Sequence, residues 1–130
     1  MKLRISAAEL VAEARSQIPE VDTLDALEMF KRDDVVVVDI RDVRERNRTG
    51  WIPGSVHAPR GMLEFWIDPD SPYFRDVFAQ EGKEYVLHCA SGWRSALAVF
   101  QLQKMGFEAS HLKDGFSDWV LEGGAVEGPK

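Results

Sequence analysis

The chain has 130 residues and a mass of 14.7 kDa, with 45% of residues hydrophobic and 10% aromatic, which is one domain's worth of ordinary globular composition and excludes two large domains or a disordered chain. Its 16 Lys and Arg against 22 Asp and Glu give a formal charge of −6 and a pI near 5.0, which excludes binding to nucleic acid or an anionic membrane by bulk attraction. The single cysteine, Cys89, excludes an intrachain disulfide, a CxxC redox pair and a thiolate zinc cage.

Residues 1–130 read as one unit without repeats or a linker, carrying an extra N-terminal helix at about residues 6–18. Ser6 and Glu9 fit a capping box, Ala7, Leu10, Val11, Ala14 and Ile18 recur at helical spacing, and Pro19 lies just beyond. A second helix is expected from about Thr23 to Lys31, with Leu24, Leu27 and Met29 or Phe30 turned inward. Val35 to Ile40 is β-branched and apolar without alternation, as in a strand buried on both faces of a parallel sheet. That run is far too short to span a bilayer, and Met1 to Ser6 lacks a signal's apolar stretch, so a cytoplasmic protein is expected. The chain is then highly charged from Arg41 to Arg48, turns at Gly50 to Ser55, and enters a short strand around Val56 to Ala58. Irregular helical turns are expected between Gly61 and Gly82, where Pro69 and Pro72 interrupt an aromatic stretch. Tyr85 to His88 is a further buried strand, a helix runs from the following loop to Gly106, Phe107 to Leu112 is a third strand, and a last helix covers Phe116 to Leu121. Strands alternating with helices predict an α/β sandwich around a mostly parallel sheet.

Cys89 opens the loop Cys89-Ala90-Ser91-Gly92-Trp93-Arg94-Ser95 between a strand and a helix. Loop amides at a helix N-terminus lack intrahelical acceptors and face the positive end of the macrodipole, so they form an anion site at the sheet edge where ligands of open α/β folds bind. A thiol of ordinary pKa near 8.5 is only about 3% ionised at pH 7, and such amides raise the thiolate share. A solvent-open, nucleophilic Cys89 is therefore expected, with Arg94 offering planar donors to an oxyanion or positive potential beside the sulfur. A lone cysteine is often a small buried hydrophobe; its place ahead of Ser, Gly, Arg and a helix favours chemistry. Cysteine, loop and arginine fit attack on phosphorus as well as attack on sulfur.

Three motifs in this order resemble the rhodanese-like sulfurtransferases over about residues 21–128. They are Asp39-Ile40-Arg41-Asp42-Val43-Arg44-Glu45 followed by Gly50-Trp51-Ile52-Pro53-Gly54-Ser55, the Cys89 to Arg94 loop with Ser95, and Leu112-Lys113-Asp114-Gly115-Phe116 with Trp119. Trp51 stands where the family usually has His, and Asp114 replaces the first Gly of a pair. The resemblance implies a rhodanese-like three-layer sandwich and a thiosulfate sulfurtransferase with catalytic Cys89 and a substrate loop of Ala90, Ser91, Gly92, Trp93, Arg94 and Ser95. In the family this loop is one residue longer in the related phosphatases and arsenate reductases; Cys89 to Arg94 is six, the sulfurtransferase length. The implied mechanism is attack of the thiolate on the outer sulfur of a small anionic donor such as thiosulfate, giving a Cys89 persulfide. With no second cysteine the acceptor is external: cyanide, a small thiol or a protein thiol. Neither nucleic acid nor membrane is expected as a partner. A Cys-dependent phosphatase or arsenate reductase and a non-catalytic interaction module stay open as alternatives.

Asp39 and Arg41 look like a structural ion pair that could orient the loop. Arg60 could reach a donor's sulfonate end or simply be solvated. Trp93 could wall the pocket, and Phe65, Trp66, Tyr73 and Phe74 could flank it or belong to the core. His57, His88 and His111 lack ligand spacing, so no metal or cofactor is expected and structural roles are favoured. His88 points away from its neighbour Cys89, which makes it a poor base.

Overall fold

The computed structural model describes residues 1–128, so the last two residues of the expected unit lie outside the described residues. In chain order the elements are α1 (Ala7–Arg15), β1 (Glu20–Val21), α2 (Thr23–Met29), β2 (Val35–Asp39), α3 (Val43–Thr49), β3 (Val56–His57), α4 (Leu63–Ile67), β4 (Glu84–His88), α5 (Trp93–Lys104), β5 (Ser110–Leu112) and α6 (Gly115–Leu121), with 3-10 turns at Arg60–Met62 and Asp76–Ala79. The strands form one parallel sheet in the order β1-β5-β4-β2-β3, flanked by helices, which is the α/β sandwich expected from the sequence.

The valine run of β2 pairs with β4 from Val35 opposite Glu84 to Asp39 opposite His88. From β2 the chain crosses to β3 on one side, while β4 lies on the other. The carboxyl ends of β2 and β4 therefore flank a topological switch point, where a crevice opens outside an α/β sheet.

Alternation along these strands divides the core. Val38, Ile40, Leu87 and Cys89 pack under α1 and α5 with Val11, Ala14, Ala96, Val99 and Leu102. Val37 and Val86 pack on the other face with Ala26, Leu112, Phe116 and Trp119. Burying a Leu or Val fully contributes roughly 1.5–3 kcal/mol, so the central strands fix both layers.

The Ser6–Glu9 capping box is present, but α1 stops at Arg15, three residues short of the expected end; Ser16 caps it and Ile18 is buried from outside the helix. Leu10 and Leu24 are exposed, because each helix turns only a narrow stripe, Val11 and Ala14 or Thr23 and Ala26, into the core. The charged stretch after β2 is helix α3, which has no buried residue and hence no apolar periodicity. Its one local signal is the capping box of Asp42 with Glu45. Strand β5 begins at Ser110 instead of Phe107, and Phe107 and Ala109 pack on the core before it. The segment expected to be irregular is a 3-10 turn, one short helix and a second 3-10 turn.

Candidate active site

Helix α5 starts within the loop, at Trp93, because Gly92 turns the chain at φ +95°, a left-handed conformation that favours glycine. A Cβ there would lie 2.0 Å from the Lys113 carbonyl oxygen, so the position excludes side chains on space as well. The loop's other side rests on the N-terminus of α6, where Phe116 donates to the Cys89 carbonyl at 2.9 Å and Ser117 to the Ala90 carbonyl at 3.0 Å. Gly115 permits this approach: its φ is +74°, and a Cβ would meet the Ala90 oxygen at 2.4 Å. Asp114, by contrast, has φ −106°, which explains why a glycine is dispensable there.

Inside the loop the Cys89 sulfur accepts from the amides of Gly92 at 3.2 Å and Ser95 at 3.4 Å, and its thiol donates to Ser95 Oγ at 3.5 Å. Burial pushes the Cys89 thiol up, and the Ser95 hydroxyl with the amides of Ser95, Gly92 and Ser91 more than offsets this, leaving it below the usual range. The amides of Trp93 and Arg94, in the first helical turn, have no intrahelical acceptor. The sulfur thus faces converging N–H groups, as the sequence predicts. The expected solvent-open thiol is corrected: Cys89 is only 1% exposed. The reason is geometric, since a sulfur that reaches the amides of Gly92 and Ser95 must fold back to the floor of the ring.

Arg94 makes two hydrogen bonds to Glu45 of α3, at 2.8 and 3.0 Å, so the expected free clamp is an ion pair beside the thiol. Trp93 is 48% exposed at the rim of the loop. Asp39 and Arg41 form the buried pair expected of them, Arg41 donating at 3.0 and 2.8 Å. Arg41 also donates to the Gly50 carbonyl at 2.7 Å and lies over the Phe116 ring, tying the turn after α3 to α6. Trp51 carries Arg46 over its ring and bridges to Glu127, a packing role for this departure from the family pattern. Arg60 lines a cavity of about 320 Å³ with Leu10, Leu97 and Phe100, which no residue of the Cys89–Ser95 loop lines. Phe65 and Tyr73 meet edge to face on the surface, while Trp66 packs on the core under Arg75.

His88 is buried on the α6 face, stacked on Phe116, away from the sulfur. His111 is buried with both ring nitrogens satisfied, as expected of a structural histidine, and its partners put it next to the loop: its Nδ1 lies 2.8 Å from Ser95 Oγ and its Nε2 2.8 Å from Glu20. Sequence reading missed His111, Glu20 and Glu45 as neighbours of the site. The Asp42-Glu45 box could have placed α3, but only strand register brings His111 and Glu20 to the loop. Among the described residues no group of three His, Cys, Asp or Glu side chains could hold a metal, and no helix is long and apolar enough to cross a membrane.

The model of the rhodanese-like domain matches residues 22–122. A Bacillus subtilis protein named "Putative sulfur carrier protein YrkF" is 31% identical over 115 residues, covering 84% of this chain and 55% of that protein. A mouse "Thiosulfate sulfurtransferase/rhodanese-like domain-containing protein 3" is 27% identical over 67% of this chain and 59% of its own length, so the chain spans little more than half of either relative. Among solved structures, one from Rhodopseudomonas palustris described as "Protein of Unknown Function" and "Possible Tyrosine Phosphatase" is 45% identical with a TM-score of 0.92, covering 98% of both chains. With the Cys89 loop at the end of β4 and the matched residues spanning most of the chain, this protein belongs to the rhodanese-like domain family.

Proposed function

We propose that this chain transfers sulfane sulfur from a small anionic donor, thiosulfate or a similar species, to an external thiol or cyanide through a persulfide on Cys89. The observation that carries this reading is the Cys89 sulfur held by the amides of Gly92 and Ser95 inside a loop of six residues closed by Arg94. The names of the Bacillus subtilis and mouse relatives, a sulfur carrier and a thiosulfate sulfurtransferase domain protein, point the same way.

In the first half reaction the Cys89 thiolate attacks the outer sulfur of thiosulfate. The new S–S bond forms as the donor's S–S bond breaks, and sulfite leaves with the electron pair. The amides of Gly92, Ser95 and the first turn of α5 stabilise the charge on the outer sulfur, as an oxyanion hole would. In the second half the acceptor attacks that sulfur, and the electron pair returns to Cys89. Two half reactions on one enzyme give ping-pong kinetics. A lone thiol used this way must stay reduced, which favours a cytoplasmic setting.

The "Possible Tyrosine Phosphatase" relative supports a second reading, attack on a phosphate ester by the same loop. Two assays on one preparation separate them: thiocyanate formation from thiosulfate and cyanide, and hydrolysis of an aryl phosphate. Thiocyanate formation lost in Cys89→Ser, without phosphate release, supports sulfur transfer; the opposite pattern replaces it with phosphate chemistry.

A further inference from the structure

The hydrogen bonds of the site continue from the sulfur into the interior. Sγ of Cys89 lies 3.5 Å from Ser95 Oγ, Ser95 Oγ 2.8 Å from His111 Nδ1, and His111 Nε2 2.8 Å from Oε2 of Glu20. Ser95 and His111 are fully buried, so no solvent competes for these contacts. The charged groups facing His111 come from three elements: Glu20 of β1, Arg15 of α1 with its Nε 3.5 Å from Glu20, and Asp114 before α6. Arg15 also donates to the Lys113 carbonyl at 2.8 Å, which holds it against the loop.

Donors and acceptors in this chain have one consistent order. A carboxylate only accepts, so His111 Nε2 carries a hydrogen. The neutral ring then has a bare Nδ1, which only accepts, and the Ser95 hydroxyl donates to it. The lone pair left on Ser95 Oγ receives the Cys89 S–H. Burial pushes the His111 imidazole down and Glu20 only partly offsets this, so the neutral ring is the resting form near pH 7.

We propose that Ser95 and His111 form a proton relay for Cys89, in which ionisation of the thiol places a proton on His111 beside Glu20. The S–H bond breaks, its electron pair stays on sulfur, and the proton binds Ser95 Oγ. The hydroxyl proton that Ser95 carried passes to His111 Nδ1. The product is a thiolate accepting from Ser95 and an imidazolium donating to Ser95 and Glu20, with no atom gained or lost. His111 acts through Ser95 and is a positioning residue. The inference deepens the sulfur-transfer reading and takes its purpose from it, but thiol ionisation is measured without a sulfur donor.

The test follows Cys89 ionisation in the full chain by thiolate absorbance and by the pH profile of iodoacetamide alkylation. Imidazole nitrogen shifts of His111 are recorded over the same pH range. Because the transfer releases no proton to solvent, the relay requires thiolate on Cys89 to coexist with a protonated His111, and that ring to hold its proton to a higher pH than it does in Cys89→Ser. Glu20→Gln, which touches neither Cys89 nor Ser95 and sits on a partly exposed edge strand, moves the alkylation midpoint up, slowing the reaction several-fold below the midpoint. His111→Gln moves it further in the same direction, and adding Ser95→Ala to His111→Gln adds little more. A His111 ring that stays neutral while the thiol ionises, or a folded Glu20→Gln with an unmoved midpoint, overturns the relay even if His111 variants fail to fold. Failure to form a persulfide with these titrations intact would instead reject sulfur transfer and leave the relay standing.

Discussion

Arg94 of α5 and Glu45 of α3 face each other through two hydrogen bonds, 2.8 and 3.0 Å, directly beside the Cys89 loop. Glu45 offsets much of the guanidinium's charge while it is ionised, although Arg94 still interacts with Cys89, and the pairing holds the Glu45 carboxyl below its usual range. Glu45 also completes the capping box of α3, a task glutamine performs equally. Glu45→Gln therefore keeps the helix and releases the charge of Arg94 toward an anionic donor. The expected result is a lower KM for thiosulfate, by about two- to fivefold at low salt, fading as ionic strength rises and the Debye length shortens. A tenfold rise in KM would show instead that Glu45 is needed to aim Arg94.

Gly92 and Gly54 both have positive φ, +95° and +77°, yet their surroundings differ. A Cβ on Gly54 meets nothing within 4 Å, so Gly54→Ala costs only the left-handed strain of roughly 1–2 kcal/mol. A Cβ on Gly92 collides with the Lys113 carbonyl at 2.0 Å and with Arg15 at 2.7 Å, so Gly92→Ala must also displace backbone. Urea denaturation should give a loss for Gly92→Ala well above that for Gly54→Ala, with loss of activity in any folded protein. Equal losses would mean the loop yields easily around Cys89.

The Asp39–Arg41 pair gives a pH-dependent stability. Burial pushes the Asp39 carboxyl up, but the hydrogen bonds and charge of Arg41, together with the neighbouring His88, outweigh it, so the folded pKa lies below the ordinary carboxylate value. A group depressed on folding stabilises fully above its unfolded pKa, and that stability is lost as pH falls through the folded one. Asp39→Asn leaves Arg41 buried without its counter-charge and is expected to lose roughly 3–5 kcal/mol at pH 7. The gap between Asp39→Asn and wild type should close in acid. Chemical denaturation at neutral and acid pH checks this; a constant gap would place the Arg41 contribution in its neutral contacts, the Thr49 and Gly50 hydrogen bonds and the packing on Phe116.

Much of this arrangement could be read before any coordinates. The valine run of β2, the strand before Cys89 and the Gly92–Arg94 helix start specify their conformations locally, through branching, burial pattern and a glycine that must turn. The same holds for the Asp39–Arg41 pair, two residues apart. Helix α3 escaped notice because its surface is polar all round, leaving Asp42 and Glu45 as its only signature. His111 and Glu20 lie far from Cys89 in sequence and reach it only because β5 sits between β1 and β4. Nothing in the residues around His111 carries that information. The depth of the sulfur was equally hidden, since it depends on which way the side chain folds inside its own loop.

Intact-mass measurement of the purified chain after incubation with thiosulfate tests the proposed chemistry at its first covalent step. Sulfur transfer through Cys89 requires the mass to rise by one sulfur atom, the added sulfur to depart on treatment with cyanide, and Cys89→Ser to stay unmodified. A chain that remains at its original mass while its thiol still reacts with iodoacetamide would contradict it.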